Sequence, residues 1–143
     1  MLFTCYDLNR MRDVVFPDGT SNHFEYSCCG LDWTRDRLNR VTSYGRDALG
    51  RTTSVTDPQN RLTEFGYNGA DQITSLTTHA GGQARVKHFD YTATNGFSRL
   101  TQVTTPMGKL IKYDYTFRGG LAWRQDGNGR VTKYQYDPLE RLV

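Results

Sequence analysis

Short segments in which apolar or aromatic residues alternate with polar ones recur along the chain. In residues 62–67, every second position is occupied by Thr63, Phe65 or Tyr67, and residues 131–136 repeat the pattern. Successive side chains of a strand point to opposite faces of a sheet, so this alternation predicts β-strands with one aromatic face. No window shows the sustained 3.6-residue apolar period of an amphipathic helix.

An aromatic residue ends most of these segments and divides the chain into units of similar length. We call these positions the mark residues, and they are Tyr6, Tyr26, Arg46, Tyr67, Tyr91, Tyr115 and Tyr136. Arg46 marks a degenerate unit, in which an arginine stands at the aromatic position. The steps between mark residues are 20, 20, 21, 24, 24 and 21 residues. Such a period predicts a single repeat array over residues 1–143, truncated at both ends.

A column of turn-forming residues supports this alignment. Seven residues before the mark residues stand Gly19, Asn39, Asn60, Ala84, Gly108 and Gly129. Glycine and asparagine accept the left-handed backbone that tight turns require, and the residue that follows them is mostly Arg or Lys. Ala84 is the exception, and we expect an insertion to have displaced the turn in its 24-residue unit.

Two short strands per unit, joined by tight turns, predict an all-β fold of about a dozen antiparallel strands in a meander of hairpins. Because strand twist accumulates from hairpin to hairpin, we expect a twisted, curved sheet. The strand after each mark residue departs from strict alternation. Its apolar residues fall three apart, as at Met11/Val14, Ile73/Leu76 and Leu100/Val103. A β-bulge in that strand accounts for the spacing.

Composition narrows the classes of partner. Hydrophobic residues make up 36% of the chain, and 9 Tyr, 7 Phe and 2 Trp supply much of that content. Stacked tyrosines bury large areas while their hydroxyls find partners, so a folded array is still expected. The net charge of +3 comes from interleaved acidic and basic residues, which favours no nucleic-acid partner. The chain has no 18-residue apolar run for a membrane span and no recognisable signal peptide.

Aspartate and arginine recur four residues apart. The pairs are Asp36/Arg40, Asp47/Arg51, Asp57/Arg61, Asp126/Arg130 and Asp137/Arg141. A ladder of guanidinium groups could recognise acidic sugars or phosphates. Alternatively, the aspartate caps a turn, and the arginine pairs with a carboxylate while its stem covers aromatic surface. Repetition in every well-preserved unit favours this structural interpretation. Tyr134 and the mark tyrosines could stack sugar rings or single-stranded bases, but they are predicted to hold the sheet together as cross-strand ladders.

No catalytic, metal or cofactor site is predicted. The three histidines share no spacing that would place them beside a carboxylate and a nucleophile. Cys5, Cys28 and Cys29 have neither a Cys-x-x-Cys partner nor a histidine pair for zinc. Free thiols are the expected state, and a disulfide between Cys5 and one of the adjacent pair is the alternative.

Residues 126–142, DGNGRVTKYQYDPLERL, and residues 47–51, DALGR, resemble the RHS/YD-repeat family. The family's Tyr-Asp dipeptide stands at Tyr6-Asp7 and Tyr136-Asp137. The resemblance implies β-hairpin arrays that spiral into a hollow shell, as in bacterial polymorphic toxins, Tc toxin complexes and teneurins. In the toxins such a shell encloses a C-terminal toxic domain, and some members have been linked to carbohydrate binding. About six repeats are too few to enclose a cargo.

The resemblance transfers no catalytic residue, because both Asp-Pro turns lack the glycine of the family's self-cleaving Asp-Pro-x-Gly site. It implies a non-catalytic segment of a shell that encapsulates or displays a toxin, in a secreted or cell-surface parent. The alternative is a carbohydrate-binding module that uses an exposed Tyr/Arg face. Partners would be the rest of the parent shell or a second copy paired through edge strands as a homodimer, with a glycan under the alternative. Tyrosines held between strands, with arginines paired to turn aspartates, would favour the shell.

Overall fold

The computed structural model describes the backbone of residues 2–6, 10–28, 30–94 and 96–143, and the side chains of residues 10–28, 30–93 and 96–143. This part of the chain forms 13 β-strands and no helix, and therefore no helix that could span a membrane. The strands are β1 Leu2–Tyr6, β2 Arg10–Val15, β3 Ser21–Ser27, β4 Gly30–Arg35, β5 Val41–Arg46, β6 Thr52–Thr56, β7 Leu62–Tyr67, β8 Ile73–Ala80, β9 Gln83–Thr94, β10 Phe97–Thr104, β11 Leu110–Tyr115, β12 Leu121–Gln125 and β13 Val131–Lys133.

Strand order in the sheet follows chain order from β1 to β13. Neighbouring strands such as β3 and β4, or β11 and β12, pair antiparallel. This order confirms the predicted all-β meander of hairpins. The chain divides into two compact units, one of residues 1–65 and 78–84 and the other of residues 66–77 and 85–143.

One five-residue turn recurs between the strands. Its first residue donates its N–H to the carbonyl of the fifth and accepts the N–H of the fourth, as in the bonds of Asp47 with Arg51 (3.0 Å) and Gly50 (2.9 Å). Copies in the described residues begin at positions 16, 36, 47, 57, 68, 105, 116, 126 and 137. Within the regular stretches they start 10 or 11 residues apart, so a sequence unit of about 21 residues holds two turns of one type.

The fourth residue of each turn has a left-handed backbone. Asn39 and Asn60 have φ values of 60° and 58°, and glycine occupies the position in five other copies. These residues accept the conformation at little steric cost, which is why the turn column could be read from the sequence. The turn expected near Ala84 is displaced to Gly81 and Gly82, and Ala84 lies within β9.

A one-residue β-bulge follows the mark position. Gly45 pairs with Ser54 and Arg46 pairs with Thr52, so that Thr53 is left out of the ladder. The same register shift leaves out Arg12, Asp32, Thr101 and Ala122. An extra residue returns side chains three apart to one face. The bulges at Arg12 and Thr101 therefore confirm the explanation offered for Met11/Val14 and Leu100/Val103.

Burial in the sheet is shallow. Among the described residues, Val14 and Val103 are the two buried hydrophobic side chains, each 6% exposed. Both lie two residues after a bulge, at equivalent positions of their units. Most other strand residues are half-buried. With so thin a core, side-chain hydrogen bonds and turn geometry carry more of the specificity than they do in a layered domain.

Candidate functional site

The hydroxyl groups of three mark tyrosines donate to backbone carbonyls. Tyr91 bonds the carbonyl oxygen of Ile73 (2.9 Å), Tyr115 that of Leu100 (2.9 Å), and Tyr136 that of Leu121 (3.2 Å). Leu100 and Leu121 directly precede the bulged residues Thr101 and Ala122. The tyrosine thus bonds a carbonyl beside an interruption of the ladder, and its ring is half-buried in the sheet.

Arg46 makes the contact at its own position that the tyrosines make at theirs. Its Nε donates to the carbonyl oxygen of Leu31 at 3.2 Å, and Leu31 precedes the bulged Asp32. Its Nη1 also donates to the carbonyl oxygen of Gly50 at 2.9 Å. A Cβ atom at Gly30 would lie 2.9 Å from the Arg46 Nε, so the guanidinium group uses the space that this glycine leaves open.

The turn aspartates bond to both backbone and side chain. Asp47 Oδ1 accepts the N–H groups of Leu49 and Arg51, each at 3.0 Å, and Oδ2 accepts the Arg51 Nε at 2.7 Å. Asp36, Asp57 and Asp137 make the equivalent three bonds. The charged pair therefore closes each of these turns from within.

The exposure of the turn arginines differs between copies of the turn. The Arg141 Nε donates to Asp137 Oδ2 at 2.7 Å, but its side chain is 73% exposed, whereas that of Arg51 is 25% exposed. Arg61 is 69% exposed in its own copy of the turn, so the coverage of aromatic surface by the arginine stem stays a prediction. After the turn that ends at Arg141, Leu142 forms an isolated bridge with Tyr136.

The turn bonds lower the pKa of the turn carboxyl groups. The Arg40 side chain and N–H hold the pKa of Asp36 below its ordinary value, and Arg61 does the same for Asp57. For Asp47, burial raises the pKa, but the bonds from Arg51 and Leu49 outweigh it and the net shift is downward. The carboxylates are thus committed to their turns in the charged form.

Other residues keep the same turn without an Asp/Arg side-chain pair. Asp126 accepts the N–H groups of Asn128 (2.9 Å) and Arg130 (3.0 Å), which lower its pKa, so Arg130 joins this turn through its backbone. Asn68 Oδ1 accepts two backbone N–H groups, and its Nδ2 donates to Gln72 Oε1 at 2.9 Å. A threonine hydroxyl accepts one N–H in the turns that begin at residues 105 and 116.

Long cationic side chains link one turn to the next at the same end of the strands. Arg37 contacts the Asp18 carboxylate, donates to Thr20 Oγ1 at 2.8 Å, and lies 4.4 Å from the Phe16 ring centroid. In the compact unit that contains residues 85–143, Lys109 Nζ donates to Asn128 Oδ1 at 2.7 Å. Arg118 donates to the carbonyl oxygen of Pro138 at 3.2 Å. These contacts brace successive turns against one another.

Two concavities lie between such turns. The first has a volume of about 450 Å³ and is lined by Thr116, Phe117, Arg118, Gly120, Tyr136, Asp137, Pro138 and Glu140. The second has about 390 Å³ and is lined by Thr20, Asn22, Asp36, Arg37, Leu38 and Arg40. Both fall within the size range of small-ligand sites. Their charged groups already bond within the turns or between them.

The remaining predicted residues are distributed along the array. Arg10 lies 5.5 Å from the Tyr26 ring centroid, Tyr67 is half-buried, and the Tyr134 N–H bonds the Ala122 carbonyl at 2.9 Å. The Tyr6 side chain and Asp7 lie outside the described residues.

The described residues contain neither a cysteine pair nor a cluster of metal ligands. Cys28 is exposed, whereas the Cys5 side chain and Cys29 lie outside the described residues, so their redox state stays a prediction. Within the same described ranges, no group of three or more His, Cys, Asp and Glu is placed to hold a metal ion.

Two histidines have partners that the sequence analysis did not find. His23 contacts Asp13 and Glu25, and His79 contacts Glu64 at 2.6 Å. Asp13 lies 10 positions before His23 in the sequence, and Glu64 lies 15 positions before His79, so no local motif indicates these contacts. The register of the hairpins brings them together.

Comparison with known proteins agrees with this architecture. Residues 46–84 match the RHS repeat family. The chain is similar to crystal structures of TcdB2-TccC3-Cdc42, with a TM-score of 0.62, 16% identity, and coverage of 98% of this chain and 7% of that one. It is also similar to TcdB2-TccC3, with a TM-score of 0.65, 16% identity, and coverage of 94% and 8%. The form without the hypervariable C-terminal region gives 0.64, 14%, 98% and 7%.

No curated protein matches the chain in sequence. The chain spans 7–8% of the length of the three matched structures. At such identities the structures establish the fold, while the matched segment establishes the repeat. Residues 46–84 thus match the RHS repeat, and the chain shares its fold with these structures.

Proposed function

We propose that this structural repeat segment is non-catalytic and forms part of a YD-repeat shell that encloses or displays a toxin domain, within a secreted or cell-surface parent. The proposal rests on one observation: the polar side chains of the array already make their hydrogen bonds within it. The hydroxyls of Tyr91, Tyr115 and Tyr136 bond backbone carbonyls, and the turn arginines bond turn aspartates. The groups that a binding surface would offer are engaged in holding the array.

Energetics support this use of the side chains. Each intramolecular hydrogen bond contributes about 1 kcal/mol net, and a ligand that competes for its donor must first break it. Repetition multiplies the contribution, because each unit is stabilised mainly against its neighbours. A repeated set of modest contacts suits a wall, whereas a ligand site concentrates its contacts at one place.

The parent shell is the first partner that we propose. The chain covers only 8% of the matched TcdB2-TccC3 chain, so the partner that we propose is a longer array of such repeats. In the strand order, β1 and β13 each have a single neighbouring strand. Such strands present N–H and C=O groups to another strand, supplied by the rest of the parent or by a second copy in a homodimer.

Light scattering coupled to size exclusion, over a concentration series of the 143-residue chain, tests this partner. We expect a dimer or larger species that grows with concentration, because the end strands pair. A monomer at every concentration would contradict strand pairing between copies. A parallel mixing experiment with flanking repeat segments of the parent would then decide whether the end strands pair at all.

A second candidate function is carbohydrate binding, favoured by the 450 Å³ concavity. Its wall carries the ring of Phe117, which is 83% exposed, beside Tyr136 and Arg118. Exposed aromatic faces stack on sugar rings, and neighbouring polar groups can bond sugar hydroxyls. A glycan-array screen of the wild type, Phe117→Ala and the matched control Phe97→Ala tests it. Binding lost only in Phe117→Ala would establish the site, and a blank array for the wild type would remove it.

A further inference from the structure

Lys109 links two neighbouring turns and is closely fitted to the second of them, residues 126–130. Its Nζ donates to Asn128 Oδ1 at 2.7 Å. Its stem lies over Gly127, where an added Cβ atom would be 3.1 Å from the Lys109 Cβ and 3.2 Å from its Cδ. Packing of the stem and a charged hydrogen bond at its tip therefore hold the ammonium group at the side-chain carbonyl of one asparagine.

Glycine follows this asparagine, and Asn-Gly is the dipeptide in which an asparagine loses its side-chain amide most readily. Because glycine has no side chain, nothing shields its backbone nitrogen from the side-chain carbon of the preceding asparagine. The chain has three such pairs, Asn68-Gly69, Asn95-Gly96 and Asn128-Gly129. Asn95 lies outside the described residues, whereas the other two asparagines lie in turns of the same type.

The two turns hold their asparagines differently. Asn68 is half-buried, its Oδ1 accepts the N–H groups of Ala70 and Gln72 at 2.9 and 3.0 Å, and its Nδ2 donates to Gln72 Oε1 at 2.9 Å. Asn128 is exposed, and its Oδ1 bonds the side chain of Lys109 from the neighbouring turn. Three bonds must break before the Asn68 amide can turn, whereas a flexible side chain restrains the Asn128 amide.

The backbone nitrogen of Gly129 carries a restraint of its own. Its N–H donates to the carbonyl oxygen of Asp126 at 2.9 Å, so this turn bond must open before the nitrogen can react. Residues 128–130 are exposed, and exposed turns open locally at small cost. The bond therefore slows a reaction at this nitrogen without preventing it.

Loss of the amide requires water as its co-reactant and no other. The Gly129 amide proton passes to solvent, and the nitrogen forms a bond to Asn128 Cγ. Negative charge develops on Oδ1 as this bond forms, and the Lys109 ammonium group donates to that same oxygen. The side-chain nitrogen takes a proton from solvent and leaves as ammonia. Water then opens the resulting succinimide ring, which leaves an aspartate or an isoaspartate at position 128.

We propose that Asn128 is a site of spontaneous deamidation, promoted by Lys109, and that the reaction converts the hydrogen bond between the two turns into an ion pair. The product has a counterpart in this chain. Asp18 occupies the same third position of the turn that begins at residue 16, and its carboxylate contacts Arg37 of the neighbouring turn. An aspartate at position 128 would meet Lys109 in the same way.

The charges near this turn favour a new carboxylate. Asp126 opposes it, since its own carboxylate accepts the Asn128 N–H at 2.9 Å. The backbone N–H groups of Arg130 and Asn128 lower the pKa of Asp126, and the charges of Arg130 and Arg124 add to that effect. Lys109 places a further positive charge on the reacting oxygen. Three cations thus stand near one carboxylate, and a second carboxylate brings the local charge closer to zero.

Peptide mapping by mass spectrometry, during incubation of the 143-residue chain at pH 7.4 and 37 °C, tests the site. We expect Asn128 to deamidate about tenfold faster than Asn68, whose amide must first break three hydrogen bonds. Lys109→Met keeps the stem over Gly127 and removes the ammonium group, so the rate at Asn128 should fall about threefold at this exposed position. Lys109→Arg keeps the charge and should restore the rate. Equal rates at Asn68 and Asn128, or a rate at Asn128 that does not fall in Lys109→Met, would overturn the proposal.

The Asn128→Asp variant isolates the consequence of the reaction, because it carries the product from the start. We expect its folded-to-unfolded ratio in urea to exceed that of freshly purified wild type by about threefold, and the gain to vanish in a Lys109→Met background. A gain that persists without the ammonium group, or the absence of a gain, would contradict the ion pair. The site belongs to residues 105–130 and stands independently of the proposed shell function.

Discussion

Arg46 and Tyr115 occupy equivalent positions of two units and satisfy the same backbone group with different chemistry. The Arg46 Nε reaches the Leu31 carbonyl at 3.2 Å, and the Tyr115 hydroxyl reaches the Leu100 carbonyl at 2.9 Å. Both acceptors stand directly before a bulged residue. The mark position therefore carries a hydrogen-bond donor at the end of a long side chain. A tyrosine at this position also buries part of its ring.

The difference between the two residues appears in their surroundings. Burial raises the pKa of Tyr115, with the nearby Arg99 charge acting in the opposite direction. Arg99 lies 5.2 Å from the Tyr115 ring centroid. Arg46 instead bonds a second carbonyl, that of Gly50, within the turn that follows it. One unit gains stability from a half-buried ring and the other from an additional hydrogen bond.

The largest expected effect comes from removing both properties of the tyrosine. Tyr115→Leu loses the hydroxyl donor and part of the ring's buried surface, and it leaves the Leu100 carbonyl without this bond. We expect a loss of about 2–3 kcal/mol in the free energy of unfolding, measured by urea denaturation. Tyr113→Leu, on the same strand, is the control. An equal loss in the control would mean that the mark position has no special role.

Replacing Arg46 tests whether a tyrosine can take over its hydrogen bond. Arg46→Met keeps an apolar stem and removes the donors to Leu31 and Gly50, so we expect a loss of about 1–2 kcal/mol. Arg46→Tyr should recover part of that loss, because a hydroxyl can reach the same carbonyl. Urea denaturation of both variants measures the difference. If Arg46→Tyr is no more stable than Arg46→Met, the two positions are not equivalent.

The hydroxyl alone accounts for a smaller share. Tyr115→Phe should lower the free energy of unfolding by about 1 kcal/mol at pH 7. Because the pKa of Tyr115 is raised in the fold, the neutral donor contributes fully below about pH 10 and its contribution is lost as the pH rises further. Urea denaturation at pH 9 and pH 11 should show the wild type and Tyr115→Phe converging at the higher pH. A gap that is unchanged at pH 11 would exclude this role of the hydroxyl.

The smallest effect is expected in the turns, where Asn68 shows what an amide can do. Asp47→Asn keeps an oxygen for the N–H groups of Leu49 and Arg51 and loses the charged bond to the Arg51 side chain. We expect a small loss at pH 7. The lowered pKa of Asp47 means that its contribution is present above about pH 4 and disappears as the pH falls below that value. Acid unfolding followed by circular dichroism should therefore show a shallower pH dependence in Asp47→Asn than in the wild type.

The repeat could be predicted from the sequence because its determinants are local. Turn residues such as Asn39 and Asn60 indicate a left-handed backbone. Apolar residues three positions apart, such as Met11 and Val14, indicate the bulge. Two positions that follow a mark tyrosine carry no aspartate, and their structures differ. Residue 68 keeps the turn through its amide, whereas Thr92 lies inside the long strand β9, where the insertion has lengthened the hairpin.

The surroundings of a turn arginine were not predictable from the pair spacing. The distance of four residues announces the bond between Asp137 and Arg141, because both partners belong to one turn. The same spacing does not predict that Arg141 is largely exposed, whereas Arg51, at the same position of another turn, is largely covered. Burial of a long side chain depends on which strands lie beside the turn, and that is set by the array and not by the turn itself.

Contacts that depend on register could not be read from the sequence. Which carbonyl a mark tyrosine reaches depends on where the preceding strand bulges, as the Tyr115 bond to Leu100 shows. The contact of His23 with Asp13 depends on the turn between β2 and β3, which sets those two residues opposite each other. A shift of one residue would send every side chain to the other face, so pairing must be known before such a cluster can be proposed.

We infer that the hydroxyl groups of the mark tyrosines stabilise the fold, and removing three of them together tests this role. Urea denaturation of the triple variant Tyr91→Phe, Tyr115→Phe and Tyr136→Phe removes three hydroxyls and leaves the three rings in place. The account predicts a loss of about 3 kcal/mol in the free energy of unfolding, nearly the sum of three separate bonds. An unfolding midpoint equal to that of the wild type would show that the hydroxyls contribute nothing to the array and would contradict the account.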